Sequence, residues 1–222
     1  MQPRTLALLV TILPFIGIHG AYLLSASSGL VEWCVPYLEG CTSISRAARR
    51  GDTIFFYRAL MIPYATFLMV YWAMCHNWLK AQGATRSIQY DLMRIVGITG
   101  AALLILYTDF LGTQGDVYKF LRKFGVIFYF IFTALAQGLF LATLEKCPAC
   151  TVSKRIQNLM LAALILLIVI GFSDLAIAFI SPGNYEANNI VEWNFAAILH
   201  VFFFLSYFAL RNSRFDFSDS GC

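Results

Sequence analysis

Residues 157–181 read QNLMLAALILLIVIGFSDLAIAFIS, and Asp174 is the sole charged residue in the stretch. The hydrocarbon core of a bilayer is about 30 Å thick and takes about 20 apolar helical residues to cross. This stretch is long enough, and its reading decides the rest. Five more apolar stretches of similar length follow the same rule, at 5–26, 54–79, 93–112, 124–145 and 190–210. Pro14 and Pro63 fall inside the first two and predict kinks there. Between the stretches lie linkers at 27–53, 80–92, 113–123, 146–156 and 182–189, with a polar tail from Arg211. None is long enough to form a separate soluble domain. The first stretch has no clear A-x-A cleavage site and five spans follow it, so it is read as a retained helix rather than a signal peptide. The expectation is an all-α, polytopic transmembrane bundle of about six helices forming one domain over residues 1–222, in an integral, multi-pass membrane protein.

Composition agrees. The 222 residues are 59% hydrophobic and 13% charged, with a mean hydropathy of +0.71. A soluble domain carries about 25% charged residues and could not cover this much apolar surface. Twenty Phe, eleven Tyr and four Trp suit lipid-facing surfaces with aromatic belts. The net charge of +4 is scattered and contains no long basic run, which argues against a nucleic-acid partner. With the N-terminus inside, nine Lys and Arg fall on the cytoplasmic side (Arg4, Lys80, Arg86, Arg94, Lys146, Lys154, Arg155, Arg211, Arg214) and seven outside. The positive-inside rule therefore favours an N-in, C-in orientation.

Cys34 and Cys41 share the first outer loop, where an oxidising compartment would permit a bridge, the alternative being two separate thiols. Cys147 and Cys150 form a lone CxxC without a second pair or a βαβ context, and are read as interfacial thiols. No cofactor and no bound metal are expected.

Charges inside a span cost about 2.5–3.5 kcal/mol at mid-helix, so each calls for a partner or a purpose. Away from the inner interface, where His76 lies, these residues are His19, Arg58, Asp109, Asp174, Glu192 and His200. In the N-in orientation the first five lie toward the outer face. His200 is eight residues beyond Glu192, roughly 12 Å deeper. The expectation is a one-sided polar cavity open outward and floored near His200. If it supports chemistry, His200, Asp174, His19 and Asp109 are the catalytic candidates, a His base oriented by a carboxylate being suited to acyl transfer or hydrolysis. Interfacial solvation, an Asp174–Arg58 pair and a packing role for His19 are the structural alternatives.

The outer loop adds Cys41-Thr-Ser-Ile-Ser-Arg-Ala-Ala-Arg-Arg-Gly-Asp52. Arg forks bind oxyanions bidentately, so Arg46, Arg49 and Arg50, with Ser43 and Ser45, are candidates for a lipid head group. Arg58 and Glu192 join that set. A second outer loop, Gly112-Thr-Gln-Gly-Asp116 with Lys119, Arg122 and Lys123, would supply Arg122 and further cations. Adhesion to anionic lipid without a specific site is the alternative.

The chain resembles the FRAG/DRAM/Sfk family of six-span membrane proteins, which includes a GPI-anchor lipid-remodelling factor. The resemblance rests on the long first outer loop with Cys41 followed by Ser43-Ile44-Ser45, and on the Arg58 that opens the second span. The aromatic fourth span, Phe124 to Gln137, and the Glu192-Trp193 pair add to it. It implies a role in lipid handling and carries over Ser43, Ser45 and Arg58 as motif positions. The Arg-rich run after Ser45 departs from the eukaryotic members. The leading expectation is a protein that binds or remodels membrane lipids, its partners being lipids and no protein partner being indicated. The alternatives are a non-enzymatic scaffold or transporter, and a metal-dependent intramembrane hydrolase using two His and two Asp.

Overall fold

The structure is a computed structural model describing residues 3–84, 87–148, 150–181 and 183–210. The described residues are 82% helical, with no strand among them. In chain order the helices are α1 (Pro3–Ser27), α2 (Pro36–Glu39), α3 (Ile44–Ala48), α4 (Thr53–Ala81), α5 (Ile88–Phe110), α6 (Asp116–Glu145), α7 (Lys154–Ile180) and α8 (Tyr185–Ala209). All but α2 and α3 are long and apolar enough to cross a membrane. Six crossings place the 28–52 loop, which carries α2 and α3, at one end with the C-terminus of α5 and the N-terminus of α8. Arg86, Arg211 and Arg214, which the orientation count uses, lie outside the described residues.

The helices run close to the expected spans, with one correction. Residues 113–123, expected as a linker, belong mostly to α6, which begins at Asp116. The strongly apolar run starts only at Phe124, whereas the two turns before it are amphipathic. Asp116 in the first turn suits the positive end of the helix dipole. With 30 residues α6 is about 45 Å long, well beyond the ~30 Å hydrocarbon core. Its first turns therefore belong in the head-group region. Helix α8 likewise starts early, the Asn184 side chain accepting the Ala187 N–H at 3.1 Å. Helices α1 and α4 continue through Pro14 and Pro63.

Packing follows a ring. Helix α1 lies against α4 and α8, α4 against α5, α5 against α6, and α7 against α8 with a lighter contact on α6. The least buried span is α7, which suits its nearly unbroken apolar sequence. Long aromatic side chains fill the middle of the ring. Tyr57, Tyr64 and Tyr71 recur every seven residues on one face of α4, and all are buried. Across the ring the Tyr64 and Tyr129 hydroxyls are 2.9 Å apart, and His200 Nε2 is 3.4 Å from Tyr64. Tyr71 meets Phe203 edge-on at 5.3 Å. A buried hydroxyl is costly without a partner. Tyr64→Phe, which strips Tyr129 and His200 of theirs, should destabilise the protein by about 1–2 kcal/mol. A fall in melting temperature reads this; an unchanged value would mean that the hydroxyls contribute nothing.

Candidate functional site

The first loop is assembled locally and then fastened to α8. The Tyr22 hydroxyl accepts the Cys34 N–H at 2.8 Å and donates to the Cys34 carbonyl at 2.9 Å. Cys34 and Cys41 are disulfide-bonded. Ser43 opens α3, its hydroxyl accepting the Arg46 N–H at 3.1 Å and lying 3.2 Å from the Ser45 hydroxyl. Four α8 side chains reach this loop. Asn189 donates to the Gly40 carbonyl at 2.7 Å, Trp193 to Thr42 at 2.8 Å and Asn194 to Tyr37 at 3.0 Å. The Glu192 carboxylate accepts the Ser45 N–H at 3.4 Å. Gly40 makes the approach feasible. Its φ is +64°, and a Cβ there would sit 2.1 Å from the Glu186 carbonyl oxygen.

Ser43, Ser45 and Glu192 are thus brought together, in the frame of the loop. His19 joins the same frame. Its Nδ1 lies 2.8 Å from the Phe15 carbonyl and its Nε2 2.8 Å from the Tyr37 hydroxyl. A carbonyl only accepts, so Nδ1 carries the proton and Nε2 accepts from Tyr37. Burial holds the Tyr37 hydroxyl above its ordinary pKa, which keeps it a donor.

Arg58 is engaged elsewhere. Its Nε donates to the Thr108 carbonyl at 3.2 Å, and its Nη2 to Asp109 at 2.5 Å and Leu111 at 2.9 Å. These carbonyls end α5, where the helix leaves acceptors open and the dipole favours a cation. The guanidinium proposed for a head group is occupied by backbone.

Four of the remaining outer-loop cations line two clefts. One, of about 340 Å³, is lined by Arg49, the Gly112–Asp116 turn, Lys119 and Arg122. Gly112, at φ +86°, turns the chain so tightly that a Cβ there would lie 2.7 Å from Ile54 and 3.8 Å from Arg49, and this brings the turn against the Arg49 side of the first loop. Arg122 is fixed by donating through Nη1 to the Phe110 carbonyl at 3.3 Å and to that of Thr113. Partial burial, then the charges of Arg122, Arg46 and Arg50, push the Arg49 guanidinium below its ordinary pKa, with Tyr107 opposing. Three cations face one acid, Asp116, and the α6 N-terminus adds its positive dipole. The cleft is electropositive and suited to an anion.

The second cleft, of about 530 Å³, is acidic: Glu32, Glu39 and Glu186 line it with Arg46, Trp33 and Tyr185. Arg46 thus lines a different cleft from Arg49 and Arg122, although its charge still reaches Arg49. Arg50 is exposed and lines neither cleft.

The four catalytic candidates form no hydrogen-bonded set among the described residues. Asp109 and Asp174 are exposed at the ends of α5 and α7. His200 is held by the Ala196 carbonyl at 2.5 Å and stands beside Tyr64. No hydrogen bond or ion pair among the described residues joins these three to one another or to His19. Nor do three His, Cys, Asp or Glu side chains gather to hold a metal among the described residues. No family model, curated protein or solved structure matches this chain.

At the opposite end, Cys147 and Cys150 are disulfide-bonded, their Cα atoms 5.4 Å apart where α6 ends. This corrects the reading of two interfacial thiols; a three-residue spacing across a turn brings them within bonding reach. Sequence reading missed the Asn189, Trp193 and Asn194 anchors. It also passed over the buried tyrosines, although their seven-residue repeat was visible.

Proposed function

We propose that this chain is an integral membrane protein that binds a lipid by its head group, with the first-loop end facing outward. The phosphate occupies the cleft of Arg49, Lys119 and Arg122. One observation carries the reading: three cations from the first loop and α6 converge at the end of the spans around a single carboxylate. Guanidinium forks and an ammonium match a phosphate's oxygens, and the neighbouring helices are apolar enough for lipid. The resemblance to the FRAG/DRAM/Sfk family points the same way. The reading is of binding, carried by the cations that line the cleft.

Lipid mass spectrometry on protein purified in mild detergent provides the test. Phosphatidylglycerol should be retained over phosphatidylcholine. Arg49→Ala/Lys119→Ala should lower that retention by about tenfold or more, as expected for losing two charged contacts. Lys123→Ala, outside the cleft, should leave it unchanged. Retention by the double variant at the wild-type level, with the melting temperature preserved, would sink the proposal.

A further inference from the structure

Below the basic cleft, α6 carries Phe120, Phe124, Phe128 and Phe132, one every four residues. Residues at this spacing form an oblique row on a helix surface. Here the rings follow one another at centroid distances of 4.1, 5.9 and 5.6 Å. The upper three are 57%, 40% and 37% exposed. Phe132 turns inward against α5, its Cβ 3.1 Å from where a Cβ on Gly100 would be. From Phe120 to Phe132 the row descends about 18 Å, slightly more than half of a ~30 Å hydrocarbon core. The row starts one turn below Asp116, which lines the cationic cleft and stands at i,i+4 to Phe120, so the row leads away from the cleft's edge along one helix.

We infer that one acyl chain of the bound lipid lies along this row, so the site recognises a long-chain anionic phospholipid rather than a soluble phosphate ester. The inference rests on the head-group reading above and adds the substrate's tail to it. The occupant follows from charge and continuity. A phosphate in the cleft fixes the glycerol backbone at the top of α6, and the rings directly beneath are the apolar surface a chain then meets. Stacked rings have few rotamers and lose little entropy when a chain covers them. Each methylene laid against them adds favourable transfer free energy, so affinity rises with chain length. A soluble phosphate ester gains none of this.

Full-length protein in detergent is offered dihexanoyl and dipalmitoyl phosphatidylglycerol, with glycerol 3-phosphate as the chain-free probe, and retention is read by native mass spectrometry. The wild type should prefer the long-chain lipid by about tenfold or more. Phe120→Ala/Phe124→Ala/Phe128→Ala should bring that preference within about twofold of parity and leave glycerol 3-phosphate binding unchanged. The Leu counterpart should keep most of the preference. Unchanged chain-length preference in the Ala variant overturns the tail assignment and leaves the head-group reading standing. Loss of chain-free probe binding only in Arg49→Ala/Lys119→Ala confirms the head-group site independently. A second measurement needs no variant. Phosphatidylglycerol bearing a diazirine on its acyl chain should label residues 120–131 of α6, and labelling centred on another span would overturn the inference.

Discussion

Arg58→Ala should cost the detergent-solubilised protein about 3 kcal/mol or more, visible as a large drop in melting temperature. Arg58 serves three carbonyls at the end of α5. A hydrogen bond from a charged donor contributes about 1.5–3 kcal/mol, and the partly exposed bond to Asp109 the least of these. Removing the guanidinium also releases the contact that ties the second span to the third. Arg58→Lys should recover only a minor part, because a point charge on a flexible stem cannot reproduce a planar fork across three acceptors. The comparison with Arg49→Ala/Lys119→Ala is decisive. One variant loses stability and the other loses lipid. Wild-type melting of Arg58→Ala combined with lost lipid retention would return Arg58 to the head-group set.

Gly40→Ala should be as damaging, by a different route. A left-handed backbone costs an ordinary residue about 1–2 kcal/mol. The added Cβ would also fall 2.1 Å from a backbone carbonyl oxygen of Glu186, an atom that no rotamer change can remove. The loop must then lift from α8, breaking the Asn189 bond to Gly40 and straining the Trp193 bond to Thr42. Limited proteolysis reads the outcome: residues 28–52, protected in the wild type, should become the first site of cleavage. Lipid retention should fall too, since Arg49 hangs from the same loop. A digestion pattern identical to wild type would show that the glycine is not needed.

The six spans were legible because apolar length is a property of local sequence, and no tertiary partner is required to read it. The start of α6 was not, since Asp116–Lys123 is polar enough to resemble a loop until the neighbouring turn packs on it. Arg49 and Arg122 were both visible as cations. That Arg46 lines a different cleft depends on α3, a five-residue helix whose path is set by Ser43 and by α8. Arg58 misled for a related reason: its partners are backbone carbonyls fifty positions away, and no residue type announces a carbonyl. The tyrosine repeat on α4 was also present in the sequence, but a neutral ring carries no charge whose burial would demand a partner.

The fastening of the first loop to α8 also orders events during synthesis. Ser45 and Glu192 are separated by 147 positions. At translation rates of 5–20 residues per second, the loop waits roughly 7–30 s for the helix that holds it. Cys34 and Cys41, only seven positions apart, are available to each other throughout that interval. A chain cut short before α8 would lack the Asn189, Glu192, Trp193 and Asn194 contacts that fasten its first loop.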